Sequence, residues 1–377
     1  MMKKFILKRL LLILPGVIAY IVTKYAQYNP EWTERVYSRS VYPALSYVVG
    51  ILPSRVSFSV SEWLVMLFLF FCLGYITYYS HLLINGNGMR YMILYRGLVG
   101  VIAICSIIYF SFTALGVLNY HRYTFTYYTG YCLKEPTVYE LEQLCTSLAS
   151  ELEEARENLE EDTNCHINKN DFDKFAQKSV LAMQMLAKQY PVLDKSRLIK
   201  PKPVRMSEVM AYADLMGVFF PLTMESNINV KAPVFLQPST MVHELAHQCG
   251  FMREDEANFI AYLACKQIND PMFHYSGLFL AFKHSISALE EIAPEIAKEI
   301  KSNLSYNIKV DIAQNERYIS EYEGIISKLS IIINDTHLKY NNQIDGVDSY
   351  GRMVGLLLAE QKAVDNQSDK NDKGYLK

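Results

Sequence analysis

Three apolar runs near the N-terminus give way, after residue 118, to a chain whose hydrophobic positions recur at helical spacing. The second run, Trp63 to Ile84, and the third, Leu98 to Leu118, contain no Asp, Glu, Lys or Arg and are apolar on every face. A core helix shows one apolar stripe, so uniform apolarity over this length predicts helices that cross a membrane. The connector Asn85-Gly-Asn-Gly-Met-Arg90 predicts a helical hairpin between them. The first run, Leu10 to Thr23, has a short uncharged core. Lys8, Arg9 and Lys24 can snorkel at its ends and no small-x-small cleavage pattern follows, which predicts a third, uncleaved span over about residues 6–23.

Basic residues orient these spans. Lys3, Lys4, Lys8 and Arg9 precede the first, and Arg90 and Arg96 flank the connector of the hairpin. The positive-inside rule puts both sets in the cytoplasm, and so places residues 29–61 and everything after Leu118 outside a cytoplasmic membrane crossed several times. The expected organisation is a membrane region at 1–118 with spans near 6–23, 63–84 and 98–118. A catalytic domain at 119–362 and a disordered tail at 363–377 follow.

Beyond the membrane region the pattern is mainly α. Glu140 to Glu160, Lys174 to Tyr190, Ser276 to Ala293 and Val310 to Ile333 have helical periodicity, with a stop or kink at Pro294. Leu215 to Leu222 and Ile228 to Phe235 read instead as two strands joined by a turn at Thr223 to Asn227, a small β hairpin just before the chemically richest part of the chain. Pro221 and Pro233 suit edge positions. The hairpin serves either as core or as an edge that binds an extended peptide. Asp345 to Gly351 reads as a turn ahead of an apolar segment from Met353 to Ala359.

The net charge of −2 and the absence of a basic face exclude a nucleic-acid partner. Seven cysteines give no C-x-x-C spacing; Cys72 and Cys105 fall inside spans, and one disulfide among Cys132, Cys145 and Cys165 is compatible with an oxidising compartment.

Candidate chemistry is concentrated at residues 243–258, His-Glu-Leu-Ala-His-Gln-Cys-Gly-Phe-Met-Arg-Glu-Asp-Glu-Ala-Asn. His243 and His247 are four apart and share a helix face, so both imidazoles can reach one metal ion, with Glu244 between them as a general base. Pro238-Ser-Thr240 predicts the start of this helix, with hydroxyls capping its amides, and Gly250 predicts a left-handed end. A third histidine at the metzincin spacing would fall on Arg253, which cannot bind zinc. Glu254 is the next residue, and Asn258, four on, shares its face as a partner that orients a ligand. Glu256 is the rival third ligand, and Asp255 reads as a solvated or helix N-terminal charge. Tyr350 and Tyr262 are candidate oxyanion donors, with His274 and His284 as alternatives.

The run from Thr240 to Gln248, continued by Glu254 to Cys265, resembles an uncharacterised bacterial family of integral-membrane zincin-like proteins, a domain of unknown function. The resemblance extends to the N-terminal spans, to Phe220-Pro-Leu-Thr-Met-Glu225 and to Gly346-Val-Asp-Ser-Tyr350. It implies a membrane metallopeptidase of the glutamate-ligand zincin type. The residues themselves lead to the same expectation: zinc on His243, His247 and Glu254, with Glu244 activating water to hydrolyse a peptide or protein at a lipid membrane. The competing expectations are a non-catalytic metal-binding sensor or scaffold, and a zinc hydrolase of a cell-wall amide.

Overall fold

The computed structural model describes residues 11–86, 88–159, 169–195, 197–341 and 350–374. The backbone is mainly helical with one small three-stranded sheet. It divides into two units, one comprising residues up to Tyr123 with Phe220–Glu225, the other Thr124–Phe219 and the chain from Ser226 onward.

In the first unit, α1 (Leu14–Tyr28) and α2 (Tyr42–Val49) precede two helices of 26 residues each, α3 (Val60–Asn85) and α4 (Arg90–Leu115). At 1.5 Å per residue each is about 39 Å long, more than the ~30 Å of a bilayer's hydrocarbon. Both are long and apolar enough to cross a membrane, and few of their side chains are buried within the protein. The first apolar run forms α1, which continues past Thr23 to Tyr28. Part of the span expected there, residues 6–10, lies outside the described residues.

Between α1 and α2 the chain forms a π-helical stretch, Thr33–Val41, that buries Thr33, Glu34, Tyr37 and Ser38. Polar contacts fasten it. The Arg122 guanidinium donates through Nε and Nη2 to the two carboxylate oxygens of Glu34, both at 2.9 Å, and Arg39 Nε adds a third bond at 2.9 Å. Tyr37 donates to the Ala114 carbonyl at 3.0 Å and Ser38 to Asn119 Oδ1 at 2.8 Å. The fully buried Glu225 carboxylate accepts the Val60 and Ser61 amides at 3.0 and 2.7 Å, placing negative charge at the N-terminus of α3.

His121, just beyond α4, is buried and its Nε2 has no partner. Burial, with the charge of Lys24 second, lowers its pKa from 6.5 to about 4. An unfolded chain therefore takes up a proton below pH 6.5 that the folded one refuses. The stabilisation is complete above pH 6.5 and fades as pH falls through 4, by up to about 3 kcal/mol. Thermal unfolding in detergent should show the transition temperature dropping between pH 7 and 4.5, and His121→Gln should reduce that drop.

The second unit is built from α5 (Val138–Glu157), α6 (Lys169–Gln189), α7 (Gln237–Gln248), α8 (Glu254–Gln267), α9 (Pro271–Ile292), α10 (Pro294–Asn303), α11 (Tyr306–Tyr322), α12 (Ile325–Tyr340) and α13 (Tyr350–Gly374). A capping box of Thr137 and Glu140 starts α5, whose Leu141, Leu144, Leu148 and Leu152 recur at helical spacing and are all buried. Asp270 caps α9, and Pro294 opens α10, as a proline permits only in a first turn. The expected single helix at 310–333 is two helices. Ser327 Oγ accepts the Gly324 N–H at 2.9 Å, which starts α12 afresh. Cys132 and Cys145 are free thiols, and Cys165 and most of the 345–351 turn lie outside the described residues.

The hairpin is present with a different register. β2 (Gly217–Phe220) and β3 (Glu225–Ile228) flank a turn at residues 221–224, and β1 (Lys202–Pro203), which no hydrophobic pattern announces, pairs parallel to β3. The predicted strand from Ile228 to Phe235 ends at its first residue, and Val234–Leu236 is a 3₁₀ turn. Alternation misled because β3 reads Glu-Ser-Asn-Ile yet is buried throughout. Its polar side chains are satisfied, with Ser226 accepting from Gln248 Nε2 at 2.8 Å. The tail expected to be disordered from residue 363 instead continues α13 to Gly374. Extending an anchored helix avoids the cost of a new nucleus.

Candidate metal centre

α7 carries the two histidines. Pro238 occupies its first turn, and Met241, Val242, Leu245 and Ala246 are fully buried, so the helix is held in the core. The hydroxyls expected to cap its amides do otherwise. Ser239 and Thr240 both donate to the Leu236 carbonyl, and the Ser239 amide is satisfied by Ser276 Oγ of α9 at 3.0 Å. The C-terminal end is a Schellman turn: Gly250, at φ +87°, donates to the His247 carbonyl at 2.9 Å and Phe251 to that of Ala246 at 3.1 Å. This turn reverses the chain so that α8 begins with Glu254 beside the histidines.

His243 Nε2 lies 3.2 Å from one Glu254 oxygen and His247 Nε2 lies 3.7 Å from the other. The three donor atoms fall within 4.8 Å of one another. Each imidazole is fixed from behind, His243 Nδ1 by Asn258 Oδ1 and His247 Nδ1 by the Phe251 carbonyl, both at 2.7 Å. Because both partners are acceptors, each Nδ1 carries a proton, which leaves each Nε2 facing the Glu254 carboxylate. Two imidazole Nε2 atoms and one carboxylate facing one point fit a zinc-type ion, which would take the place of the proton that His243 Nε2 otherwise shares with Glu254.

Glu244 sits against the edge strand. The sheet order is β1-β3-β2, and a Cβ at Gly217 of β2 would come within 2.6 Å of Glu244 Oε1, so only glycine allows this approach. The Phe219 backbone beside it favours the charged carboxylate, while Oε2 is buried without a partner. Burial, helped by the charge of Glu254 and opposed by His243 and the Phe219 amide, pushes the Glu244 pKa up to about 7. Burial also drives His247 down to about 4, helped by the charge of His243. At His243 burial acts downward too, but the hydrogen bond and charge of Glu254 outweigh it and raise the imidazole to about 9.

The other expected residues are placed as follows. The Glu256 carboxylate accepts the Phe125 amide at 2.9 Å and does not join the three donors. Asp255 is in the first turn of α8 but is buried rather than solvated; burial raises its pKa against the charges of Arg253 and Arg352. The Tyr262 hydroxyl accepts from Lys266 Nζ at 2.9 Å, and burial, with the charge of Glu360 second, raises its pKa to about 12. Tyr350 opens α13, and its side chain lies outside the described residues. His274 stands in the first turn of α9. His284 is held down to about 3 by burial and then by the charges of Lys283 and His243.

Sequence reasoning missed Gly217, the Phe219 amide, the Phe251 carbonyl and Gln248. The first three act through backbone, which leaves no side-chain signal. Gln248 is fully buried, pairing with the amide and carbonyl of Ile199 and with Ser226, and so ties α7 to β3. Its position directly after the second histidine was the available cue. No curated protein and no solved structure matches the chain. Residues 37–358 do match the model of a family described as a protein of unknown function, DUF3810, and the chain belongs to that family.

Proposed function

We propose that the protein is a membrane-anchored zinc-dependent metallopeptidase, held in the cytoplasmic membrane by α3 and α4 with its catalytic unit outside. The observation that carries this reading is the convergence of His243, His247 and Glu254 donors with the buried, unpartnered Glu244 Oε2 one residue from the first histidine. A structural zinc site has four protein ligands and no use for such a base, whereas a catalytic one leaves a position for water.

Zinc bound there would act as a Lewis acid on water and on the scissile carbonyl. Glu244 would receive the water's proton at Oε2 and pass it to the leaving amine, while the close approach of Gly217 of β2 holds the carboxylate in place. Asn258 and the Phe251 carbonyl would hold the imidazoles in the tautomer that presents Nε2. β2, as an edge strand against α7, supports an extended peptide as substrate.

Elemental analysis of the purified full chain should find about one zinc per molecule. Asn258→Ala should weaken zinc affinity by about 10–100-fold, with Asn258→Asp retaining most of it. Absence of zinc binding would remove the proposal. His243→Ala separates enzyme from scaffold: a scaffold should unfold with the metal lost, an enzyme should keep its fold and lose turnover. Peptide libraries run beside peptidoglycan fragments distinguish peptidase from cell-wall amidase.

A further inference from the structure

α12 exposes the wrong face for a helix of a soluble protein. Its inward side is Ser327, Leu338 and, just past its end, Asn341, all buried. Outward are Ile325 at 88 % exposure, Ile326 at 60 %, Leu329 at 55 %, Ile332 at 62 %, Ile333 at 61 % and Tyr340 at 48 %. At 100° per residue these six fall within an arc of about 120°, interrupted only by Thr336. An exposed apolar arc of this kind marks an interaction surface. Lys328 and Lys339 fall along one margin of the arc about three turns apart, paired with Glu323 and Asp335, and their long stems can bring the charges to headgroups beside an apolar surface.

We propose that α12 lies in the interface of the bilayer, its isoleucine face among acyl chains and its lysine margin at the headgroups, as a second membrane contact of the catalytic unit. This rests on the anchorage by α3 and α4 in the reading above. Leu115 ends α4 and the second unit starts at Thr124, so fewer than ten residues tether that unit to the membrane, a reach of about 30 Å at most. Lipid is thus always near the start of that unit, which favours a bilayer over a partner that must diffuse. One face of a 16-residue helix also falls short of the roughly 800 Å² per partner that a stable dimer buries.

The test uses the full chain in phosphatidylethanolamine–phosphatidylglycerol vesicles with acyl-brominated lipid. The chain has two tryptophans, Trp32 and Trp63, so single-tryptophan forms are accessible. Trp63, in α3, reports the anchorage itself. With both native tryptophans changed to Phe, Leu329→Trp probes the arc and Asn334→Trp the opposite side of α12. Quenching at 329 about twofold or more above that at 334, unchanged on tenfold dilution of protein into lipid, is the expected result. Equal quenching at the two positions overturns the proposal, as does quenching at 329 that appears only at high protein-to-lipid ratio, which would assign the face to a second copy. Failed quenching of Trp63 would instead refute the anchorage. A Leu329→Asp/Ile332→Asp chain removes exposed groups only, so its unfolding in detergent should match wild type while amide protection of α12 in vesicles is lost.

Discussion

Glu244→Gln is expected to retain zinc and thermal stability while lowering hydrolysis of any identified substrate by about 10³-fold or more. The amide preserves the shape of the carboxyl, so the close approach to Gly217 of β2 survives. It cannot accept a proton at the position of Oε2. The measurement is zinc content and turnover on the same preparation, and normal turnover with full zinc would end the mechanism. Loss of zinc together with activity would mean that Glu244 acts through the fold of α7 rather than on the reaction.

The largest stability effect is expected in the first unit. Glu34 and Arg122 expose only 4 % and 3 % of their side chains, so removing Glu34 takes from the buried Arg122 charge the carboxylate it bonds through two nitrogens. Glu34→Ala should cost about 3–5 kcal/mol. Arg122→Met combined with Glu34→Leu should recover much of that, because an apolar pair carries no desolvation penalty. Unfolding curves of the two variants in one detergent, set against wild type, decide it: equal destabilisation of the single and double variants would show that the π-helical stretch depends on the ion pair itself.

Much of this was readable in the chain because it follows from side-chain type and spacing. Uniform apolarity marked α3 and α4, Gly250 marked the end of α7, and the four-residue spacing of His243 and His247 marked a shared face. Glu254 and Glu256 were separable only in part, since carboxylates two positions apart have equal chemistry. What sets them apart is the Phe125 amide, more than a hundred residues earlier, which takes the Glu256 carboxylate. The hairpin was misplaced because burial of Glu225, Ser226 and Asn227 depends on distant partners that no local pattern encodes. The apolar face of α12 was legible as periodicity, but which side faces inward was not, because Ser327 and Asn341 are the groups the fold buries there.

The Schellman turn at Gly250 has a consequence for assembly. Closing a short loop is entropically cheaper than closing a long one. All three candidate donors lie between His243 and Glu254, so their encounter needs only α7, the turn and the first residues of α8. The seat of Glu244 needs Gly217 and Phe219, which lie well upstream and take their places only once the sheet has its register. The three candidate donors can therefore be brought together by local contacts alone, whereas Glu244 reaches its place only against β2.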